Sequence, residues 1–205
     1  MTNEYVLYLA SQSPRRRELL SQIGIFYSVL SVDVDESVKN DEVAEDYVLR
    51  LAREKALAAC KAKKQNRKAV LGADTAVVIN GKILGKPENR DDAKRMLRLL
   101  SGKTHQVMSA VALASKAEHS PQVELSSVLS VSDVTLKVLS NAEIEQYIDT
   151  GECDDKAGSY AIQGLAAAFI THLSGSYSGV MGLPLYETVE LLKKAGISSD
   201  FLVVS

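Results

Sequence analysis

Three consecutive arginines stand where a helix is predicted to begin. In the stretch SQSPRRRELL, Ser13 is of a residue type typical of an N-cap, and Pro14 suits the first helical position. A helix start carries partial positive charge, so Arg15 and Arg16 are unfavourable there unless an anion neutralises them. Free backbone N–H groups and the hydroxyl of Ser11 would point at the same anion. The stretch predicts a phosphate site, and the alternative is a capped surface helix with solvated arginines.

Two acidic residues stand where carboxylates could act as a base or as metal ligands. Asp74 and Thr75 interrupt the apolar run AVLGADTAVVIN. A carboxylate buried there must be paired, hydrogen-bonded or bound to a metal, because burying it alone is costly. Glu36 stands in the acidic loop VDVDES, and oxygen ligands of this kind favour Mg²⁺ or Mn²⁺. The alternatives are an aspartate that makes local turn hydrogen bonds and a solvated acidic loop.

Three further polar residues could complete a nucleotide site. Lys55 lies close to the apolar stripe of a predicted helix, and Lys86 lies in the short rigid loop GKP. Two lysines and two arginines would suit a triphosphate. Gln163, in DKAGSYAIQG, carries amide donors and a carbonyl that would match the edge of a base such as uracil. Each of these residues by itself is also compatible with a surface side chain or with a glutamine that braces a loop.

The elements that must position these residues alternate between strands and helices. Short apolar runs predict strands, and apolar residues three and four apart predict amphipathic helices. Asn80-Gly81 indicates a tight hairpin, and the polar residues 118–121 indicate a second one. The order predicts a mixed α/β fold with crossovers and hairpins. The predicted strands are 5–10, 26–32, 69–80, 104–115, 126–139 and 165–173, and the predicted helices are 14 to the stop at 24, 41–64, 89–100, 141–148 and 183–195, with a loop over 151–164.

The composition excludes several classes of protein. With 24 basic and 26 acidic residues, a net charge of −2, 5% aromatics and no tryptophan, the chain has no basic field for nucleic acid. No run approaches the ~18 apolar residues that a membrane span needs. Two cysteines and no signal peptide indicate a cytoplasmic protein. The 205 residues are enough for one large domain or for two lobes that share one sheet, and a single domain, 1–205, is expected.

Taken together, the motifs resemble the Maf family of nucleoside triphosphate pyrophosphatases. They run in family order from residue 7 to about 195, and their joint occurrence is far more specific than any one of them. The matching segments are SQSPRRRELL, the Glu36 loop, RLAREKA, LGADT, GKP, LSGKTHQV, DKAGSYAIQG and GLPLYET.

The resemblance implies a fold and an activity. The expected fold is an inosine-triphosphatase-like mixed sheet with flanking helices and two lobes around a central cleft. The expected activity is hydrolysis of a nucleoside triphosphate to the monophosphate and pyrophosphate, with a divalent metal cation, Mg²⁺ or Mn²⁺. The family also implies a homodimer, house-cleaning of nucleotide pools and a link to cell-division arrest. No nucleic acid and no membrane are expected as partners.

Residue roles follow from the resemblance position by position. Asp74 is similar to the family's catalytic base, and Glu36 to its metal or water partner, so both are expected to hold the metal. A bound metal would acidify the attacking water, whereas Glu36 and a dry cleft would raise the pKa of Asp74; both routes stay open. The expected substrate contacts are Ser11, Arg15, Arg16, Lys55, Thr75, Lys86 and Gln163.

Three positions indicate the substrate branch. Arg15, Thr75 and Gln163 are similar to the branch that acts on dTTP and UTP. Ala161 departs from the glycine typical of related sequences, and a backbone with φ > 0 there would disfavour alanine. The alternative function is a nucleotide-binding regulator of septum formation with little turnover, and the presence of Asp74 argues against it.

Overall fold

One seven-stranded mixed sheet carries the fold in the computed structural model, which describes residues 6–62, 68–116 and 122–197. Its order is β2-β1-β3-β5-β6-β7, and β4 also pairs with β3. The pairs β1–β2 and β1–β3 are parallel, and the others are antiparallel. The strands are β1 (Leu7–Leu9), β2 (Tyr27–Val29), β3 (Ala69–Ile79), β4 (Lys82–Leu84), β5 (Thr104–Lys116), β6 (Val123–Leu136) and β7 (Ile170–Ser174).

Six α-helices and two short 3-10 helices in the described residues flank the sheet. None of these helices combines the length and the apolar composition that crossing a bilayer requires. The predicted mixed α/β fold with flanking helices is confirmed. The α-helices are α1 (Pro14–Gln22), α2 (Ala44–Ala62), α3 (Arg90–Leu100), α4 (Asn141–Asp149), α5 (Tyr177–Met181) and α6 (Leu185–Lys194), and the 3-10 helices are Ala157–Ser159 and Leu165–Phe169.

Local signals place most of the elements within a few residues of their predicted bounds. Asn80 and Gly81 have φ values of 52° and 72°, as a tight hairpin between β3 and β4 requires. Gly24, with φ 69°, follows the end of α1. The predicted connection at 118–121, residue 5 of the first predicted strand and the predicted end of the long helix at 64 lie outside the described residues.

In the C-terminal third one prediction was wrong and one helix was missed. The segment predicted as a strand over 165–173 begins as a 3-10 helix, and β7 starts only at Ile170. The carboxylate of Glu152 accepts hydrogen bonds from the N–H groups of Leu165 and Ala166, which holds the turn through a tertiary contact. The short helix α5 was not predicted, because five residues show no periodicity; its signal is Ser176, which caps the Gly179 N–H.

A close approach between α2 and β3 brings two candidate residues together. A Cβ on Gly72 of β3 would lie 2.3 Å from the Ala52 carbonyl oxygen and 2.7 Å from the Ala56 nitrogen. Only glycine leaves room for the helix backbone at this distance. The approach brings Lys55 of α2 within reach of Asp74 of β3.

The opposite face of β3 carries two separate hydrophobic cores. Leu71 and Ala73 belong to a core with α1 and α6, whereas Val77 and Ile79 belong to a core with α3 and α4. Thr75 lies between the two sets and is half-buried. The predicted division into two lobes is confirmed, and it occurs where β3 carries a threonine.

The sheet also opens on one edge of β3. β5 pairs with one edge along residues 70–78. On the other edge β1 pairs with residues 69–71 and β4 with residues 77–79, so within the described residues 72–76 have no strand partner there. Asp74 lies in this gap, and a cleft of about 660 Å³ opens beside it.

Candidate active site

The cleft between the two lobes gathers every side chain that the sequence singled out. They come from the β1–α1 turn, the first turn of α1, the loop before α2, α2 itself, β3, the connection after β4 and the loop after Ala157–Ser159. These residues are Ser11, Arg15, Arg16, Glu36, Lys55, Asp74, Thr75, Lys86 and Gln163.

Lys55 connects the two carboxylates. Its Nζ lies 2.7 Å from Oδ1 of Asp74 and 2.6 Å from Oε1 of Glu36. Burial raises the pKa of Asp74 above its usual value, and the charges of Lys55 and Arg16 offset only part of that rise. Glu36 is less buried, with a side chain 54% exposed. Burial raises its pKa too, but the hydrogen bond and charge of Lys55 outweigh that effect, so the pKa is lowered. The cleft therefore shifts the pKa values of Asp74 and Glu36 in opposite directions.

Arg16 is held by three hydrogen bonds to the protein. Nε donates to the Gly182 carbonyl at 2.8 Å, Nη1 to the Ser11 hydroxyl at 3.2 Å and Nη2 to the Thr75 hydroxyl at 3.3 Å. Burial lowers its pKa, and the charge of Asp74 partly restores it. Two of the five guanidinium N–H groups remain for a ligand. Arg16 therefore lines the cleft and also connects the start of α1 to Thr75 of β3 and to Gly182.

The start of α1 keeps its backbone donors available. Ser13 occupies the N-cap position and Pro14 the first helical position, as predicted, but the Ser13 side chain makes no capping hydrogen bond. The Ser11 hydroxyl instead accepts from the N–H of Ser13 at 3.2 Å. An uncapped first turn beside two arginines is an arrangement that suits an anion.

The Thr75 hydroxyl is bound within the protein. Ser109, opposite it on β5, donates to the Gly179 carbonyl at 2.6 Å. The single proton of Thr75 has two acceptors in reach, the Ser109 hydroxyl at 2.8 Å and the Gly182 carbonyl at 3.4 Å. Arg16 donates to the same oxygen, so Thr75 links the arginine to β5. Sequence reasoning missed Ser109, although it is a polar residue inside the apolar run VMSAVALA.

Two charged residues of the 155–163 loop were also missed. Arg15 forms an ion pair with Asp155, 3.3 Å between Nη1 and Oδ2, and this contact joins the two lobes at the cleft. Lys156 pairs with the same carboxylate and lines the cleft. Burial raises the pKa of Asp155, but Lys156 and Arg15 outweigh it, so the pKa is lowered. Both residues belong to the motif DKAGSYAIQG, in which the sequence analysis assigned a binding role only to Gln163.

Alanine at position 161 causes no backbone strain. The left-handed conformations of this loop lie earlier, at Gly158 with φ 68° and Ser159 with φ 62°, and Ala161 is not among the positive-φ residues. Its N–H donates to the Tyr147 hydroxyl at 3.2 Å. The neighbouring Tyr160 lines the cleft and is held by His105 at 2.8 Å. The two residues Tyr160 and Ala161, shortly before Gln163, are therefore both held by tertiary hydrogen bonds.

The carboxylates suit a cation that a ligand helps to bind. Within the described residues no group of three or more His, Cys, Asp or Glu side chains could hold a metal by itself. Mg²⁺ in nucleotide sites commonly takes one or two carboxylates and completes its coordination with phosphate oxygens and water. Asp74 and Glu36, which share Lys55, form such a pair. The donor set fits Mg²⁺ or Mn²⁺ bound together with a phosphorylated ligand.

The fold and the cleft define an α/β protein whose site surrounds two carboxylates with basic side chains, as a polyphosphate-binding site would. The Maf-like protein family matches residues 6–195, and the chain belongs to this family. The predicted family is thereby confirmed. The basic side chains of the site are Arg15, Arg16, Lys55, Lys86 and Lys156.

Several proteins named dTTP/UTP pyrophosphatase resemble the chain over almost its whole length. A dTTP/UTP pyrophosphatase of Pseudoalteromonas atlantica is 53% identical over 198 residues and covers 95% of this chain and 100% of its own. The enzyme of that name from Colwellia psychrerythraea is 51% identical and covers 96% of this chain and 95% of its own. The one from Methylobacillus flagellatus is 50% identical and covers 94% of each chain. A crystal structure of protein VC0702 from Vibrio cholerae aligns over 94% of this chain and 98% of its own, but a TM-score of 0.41 at 12% identity carries no conclusion.

Proposed function

We propose that the protein is a nucleoside triphosphate pyrophosphatase that hydrolyses dTTP and UTP to the nucleoside monophosphate and pyrophosphate. The observation that carries this proposal is the pairing of Asp74 and Glu36 with Lys55 inside a cleft lined by basic side chains. Such a cleft suits a polyphosphate, because phosphoryl chemistry depends chiefly on positioning and charge stabilisation. The relatives named dTTP/UTP pyrophosphatase, about half identical over nearly the whole chain, support the same activity.

Asp74 is the general base in this proposal. Its burial raises its pKa, which makes it a stronger base than an exposed aspartate at neutral pH. The water oxygen bonds to the α-phosphorus, its proton goes to Asp74, and the bond from that phosphorus to the bridging oxygen of the β-phosphate breaks. Pyrophosphate leaves with additional negative charge, which the basic side chains neutralise. We assign this neutralisation to Arg15, Arg16, Lys55 and Lys86, with Ser11 as a further phosphate contact.

A divalent cation, Mg²⁺ or Mn²⁺, is the proposed cofactor, with Glu36 and Asp74 as its protein ligands. When bound, it would neutralise phosphate charge and lower the pKa of the attacking water. Lys55 keeps the same two carboxylates together and offsets their mutual repulsion. Treatment with EDTA is expected to abolish turnover, and added Mg²⁺ or Mn²⁺ to restore it.

The nucleobase of the substrate is proposed to lie against Gln163, Thr75 and Arg15. Uracil and thymine present an N–H donor between two carbonyl oxygens, and a glutamine amide can match a donor and an acceptor of that edge. Thr75 and Arg15 line the same cleft, and hydrogen bonds to Arg16 and Ser109 hold the Thr75 hydroxyl in place.

A panel of ribo- and deoxyribonucleoside triphosphates with Mg²⁺ or Mn²⁺ tests the function. Pyrophosphate and orthophosphate are assayed separately, with Asp74→Asn alongside. We expect pyrophosphate release to be strongest with dTTP and UTP and to be lost in the variant. A preference for purine triphosphates would contradict the specificity assigned to Gln163. Tight binding without release would favour the regulator of septum formation.

The cellular setting is also proposed. Cys60 and Cys153 are both free and buried, as in a reducing cytoplasm. There the enzyme would remove dTTP, UTP and modified pyrimidine triphosphates from the nucleotide pool. The chain is proposed to act as one domain, because one sheet joins its cores. A homodimer is proposed on the family resemblance, and sedimentation in solution tests it.

A further inference from the structure

The loop that carries Glu36 has little structure of its own. Between β2 and α2, residues 33–42 make one backbone–backbone hydrogen bond within the described part of the chain, from Glu42 N to Lys39 O. Every residue of 35–41 is exposed, and apolar anchoring comes from the half-buried Val32 and Val34. The position of Glu36 must therefore depend on contacts from outside the loop.

Two side chains of α2 supply those contacts. Nη1 of Arg50 donates to the Asp35 carbonyl at 3.4 Å, and Nη2 donates to the Ser37 carbonyl at 3.0 Å. The Tyr47 hydroxyl donates to the carbonyl of Glu36 itself at 3.0 Å. Three consecutive carbonyl oxygens, centred on Glu36, are thus bound by residues one turn apart on a buried helix.

Arg50 is itself fixed in place. Its Nε and Nη2 donate to the two carboxylate oxygens of Glu42 at 2.5 Å and 2.8 Å, and Nη1 donates to Glu54 at 3.3 Å. The side chains of Arg50 and Glu42 are 14% and 9% exposed. This bidentate ion pair fixes the orientation of the guanidinium as well as strengthening the interaction. A lysine could not reproduce that geometry. The guanidinium also lies 5.6 Å from the centre of the Tyr47 ring.

We infer that Arg50 is a positioning residue for Glu36. Arg50 does not line the cleft, so its effect on catalysis passes through the loop. It holds the carbonyls on both sides of Glu36, and Lys55 holds the carboxylate. The inference rests on the proposed function, in which Glu36 acts on the cation or the water.

Variants of two arginines on the same helix test the inference. Arg50→Gln removes the contacts to both carbonyls and to Glu42, and Arg50→Lys keeps the charge without the fork. Arg53→Gln is the matched control, because Arg53 is exposed and donates to Ser127. We expect both Arg50 variants to lower kcat about tenfold to a hundredfold with a small change in KM, and Arg53→Gln to match the wild type. Wild-type kcat in the folded Arg50 variants would overturn the inference.

A double variant separates positioning from a general loss of structure. If Arg50 acts through Glu36, Arg50→Gln added to Glu36→Gln should lower kcat little further than Glu36→Gln does alone. Losses that multiply in full would show that Arg50 acts by another route and would overturn the inference. If Arg50→Gln fails to fold, Arg50→Lys combined with Glu36→Gln gives the same comparison.

Hydrogen exchange gives a readout that does not depend on turnover. We expect the amides of Ser37 and Lys39, which donate to Asp35 and Glu42, to exchange at least about tenfold faster in Arg50→Gln and at the wild-type rate in Arg53→Gln. Unchanged exchange would overturn the inference. An inactive wild type with the expected exchange pattern would contradict the proposed function and leave the positioning role supported.

Discussion

Asp74 and Glu36, the two carboxylates that Lys55 bridges, are supported in opposite ways. Asp74 lies inside β3, where it pairs in register with Ala110 of β5, and it is buried. Glu36 lies in an exposed loop, and the side chains of Arg50 and Tyr47 hold its backbone. A backbone ladder therefore fixes the first carboxylate, whereas a few side-chain hydrogen bonds fix the second. The placement of Glu36 therefore depends much more on side chains from outside its own segment.

This difference in support also produces the difference in acidity. A carboxylate on a central strand is well positioned but desolvated, so its pKa rises. A carboxylate at the edge of the cleft keeps part of its hydration and gains the charge of Lys55, so its pKa falls. The first combination suits a base, and the second suits a ligand for a cation or a water.

The largest expected loss of activity comes from substitution of Asp74, on strand β3. Asp74→Asn should lower kcat by roughly a hundredfold to ten-thousandfold, as loss of a general base does, and Glu36→Gln should lower it less. Steady-state kinetics with dTTP and UTP measures both. Equal turnover in Asp74→Asn and the wild type would exclude Asp74 as the base.

Removal of the lysine that connects the two carboxylates should shift the pH profile. Lys55 lowers the pKa of both Asp74 and Glu36. In Lys55→Met we therefore expect kcat on the order of a hundredfold lower and the acid limb of kcat/KM at higher pH, because deprotonated Asp74 then appears only at higher pH. Kinetics from pH 5 to pH 9 would show it. An acid limb at the wild-type pH would contradict the coupling.

The close contact of α2 with β3 should be sensitive to one methyl group. Gly72→Ala would place a Cβ against the backbone of Ala52 and Ala56, so we expect a loss of about 1–3 kcal/mol in the free energy of unfolding. Gly85→Ala is the control, because a Cβ there meets no atom within 4 Å. Urea unfolding measures both variants. A Gly72→Ala variant as stable as Gly85→Ala would show that the helix can move away at little cost.

The smallest expected effect comes from one hydrogen bond to the loop. Tyr47→Phe removes the donor to the Glu36 carbonyl, and a single hydrogen bond of about 1 kcal/mol corresponds to roughly fivefold in kcat. Tyr186→Phe, on a tyrosine that is 75% exposed, serves as the control. If Tyr47→Phe lowered kcat as much as Asp74→Asn, Tyr47, which lines the cleft, would act on the reaction directly and not only through the Glu36 loop.

Much of the fold follows from local rules. The Asn80-Gly81 turn, the stop at Gly24 and the first helical position of Pro14 each depend on the conformation of one or two residues. The 3-10 helix at 165–169 does not, because it is held by Glu152, more than ten residues earlier in the chain. Apolar small residues there are compatible with either a strand or a turn, and the distant carboxylate decides.

In the candidate site too, some features could be predicted from the sequence and others could not. Asp74, Lys55 and Glu36 were recognisable as unusual residues in their own segments, and the family motifs joined them. Their roles remain predictions, and the geometry that relates them was not readable: Lys55 and Asp74 are 19 residues apart, and Arg16 contacts a carbonyl 166 residues away. The contacts of Arg50 with the Glu36 loop were missed, because a surface arginine on an amphipathic helix looks the same whatever it binds.

The sequence by itself indicated candidate residues for the chemistry and determined the order of most strands and helices and the family, because these depend on residue type and on spacing over a few positions. Only the tertiary structure decided that Thr75 links Arg16 to Ser109, that one lysine bridges both carboxylates and that Arg50 holds the Glu36 loop. Those features depend on directions and distances between segments far apart in the chain. They become defined only when α2 packs on the sheet and the two lobes meet across β3.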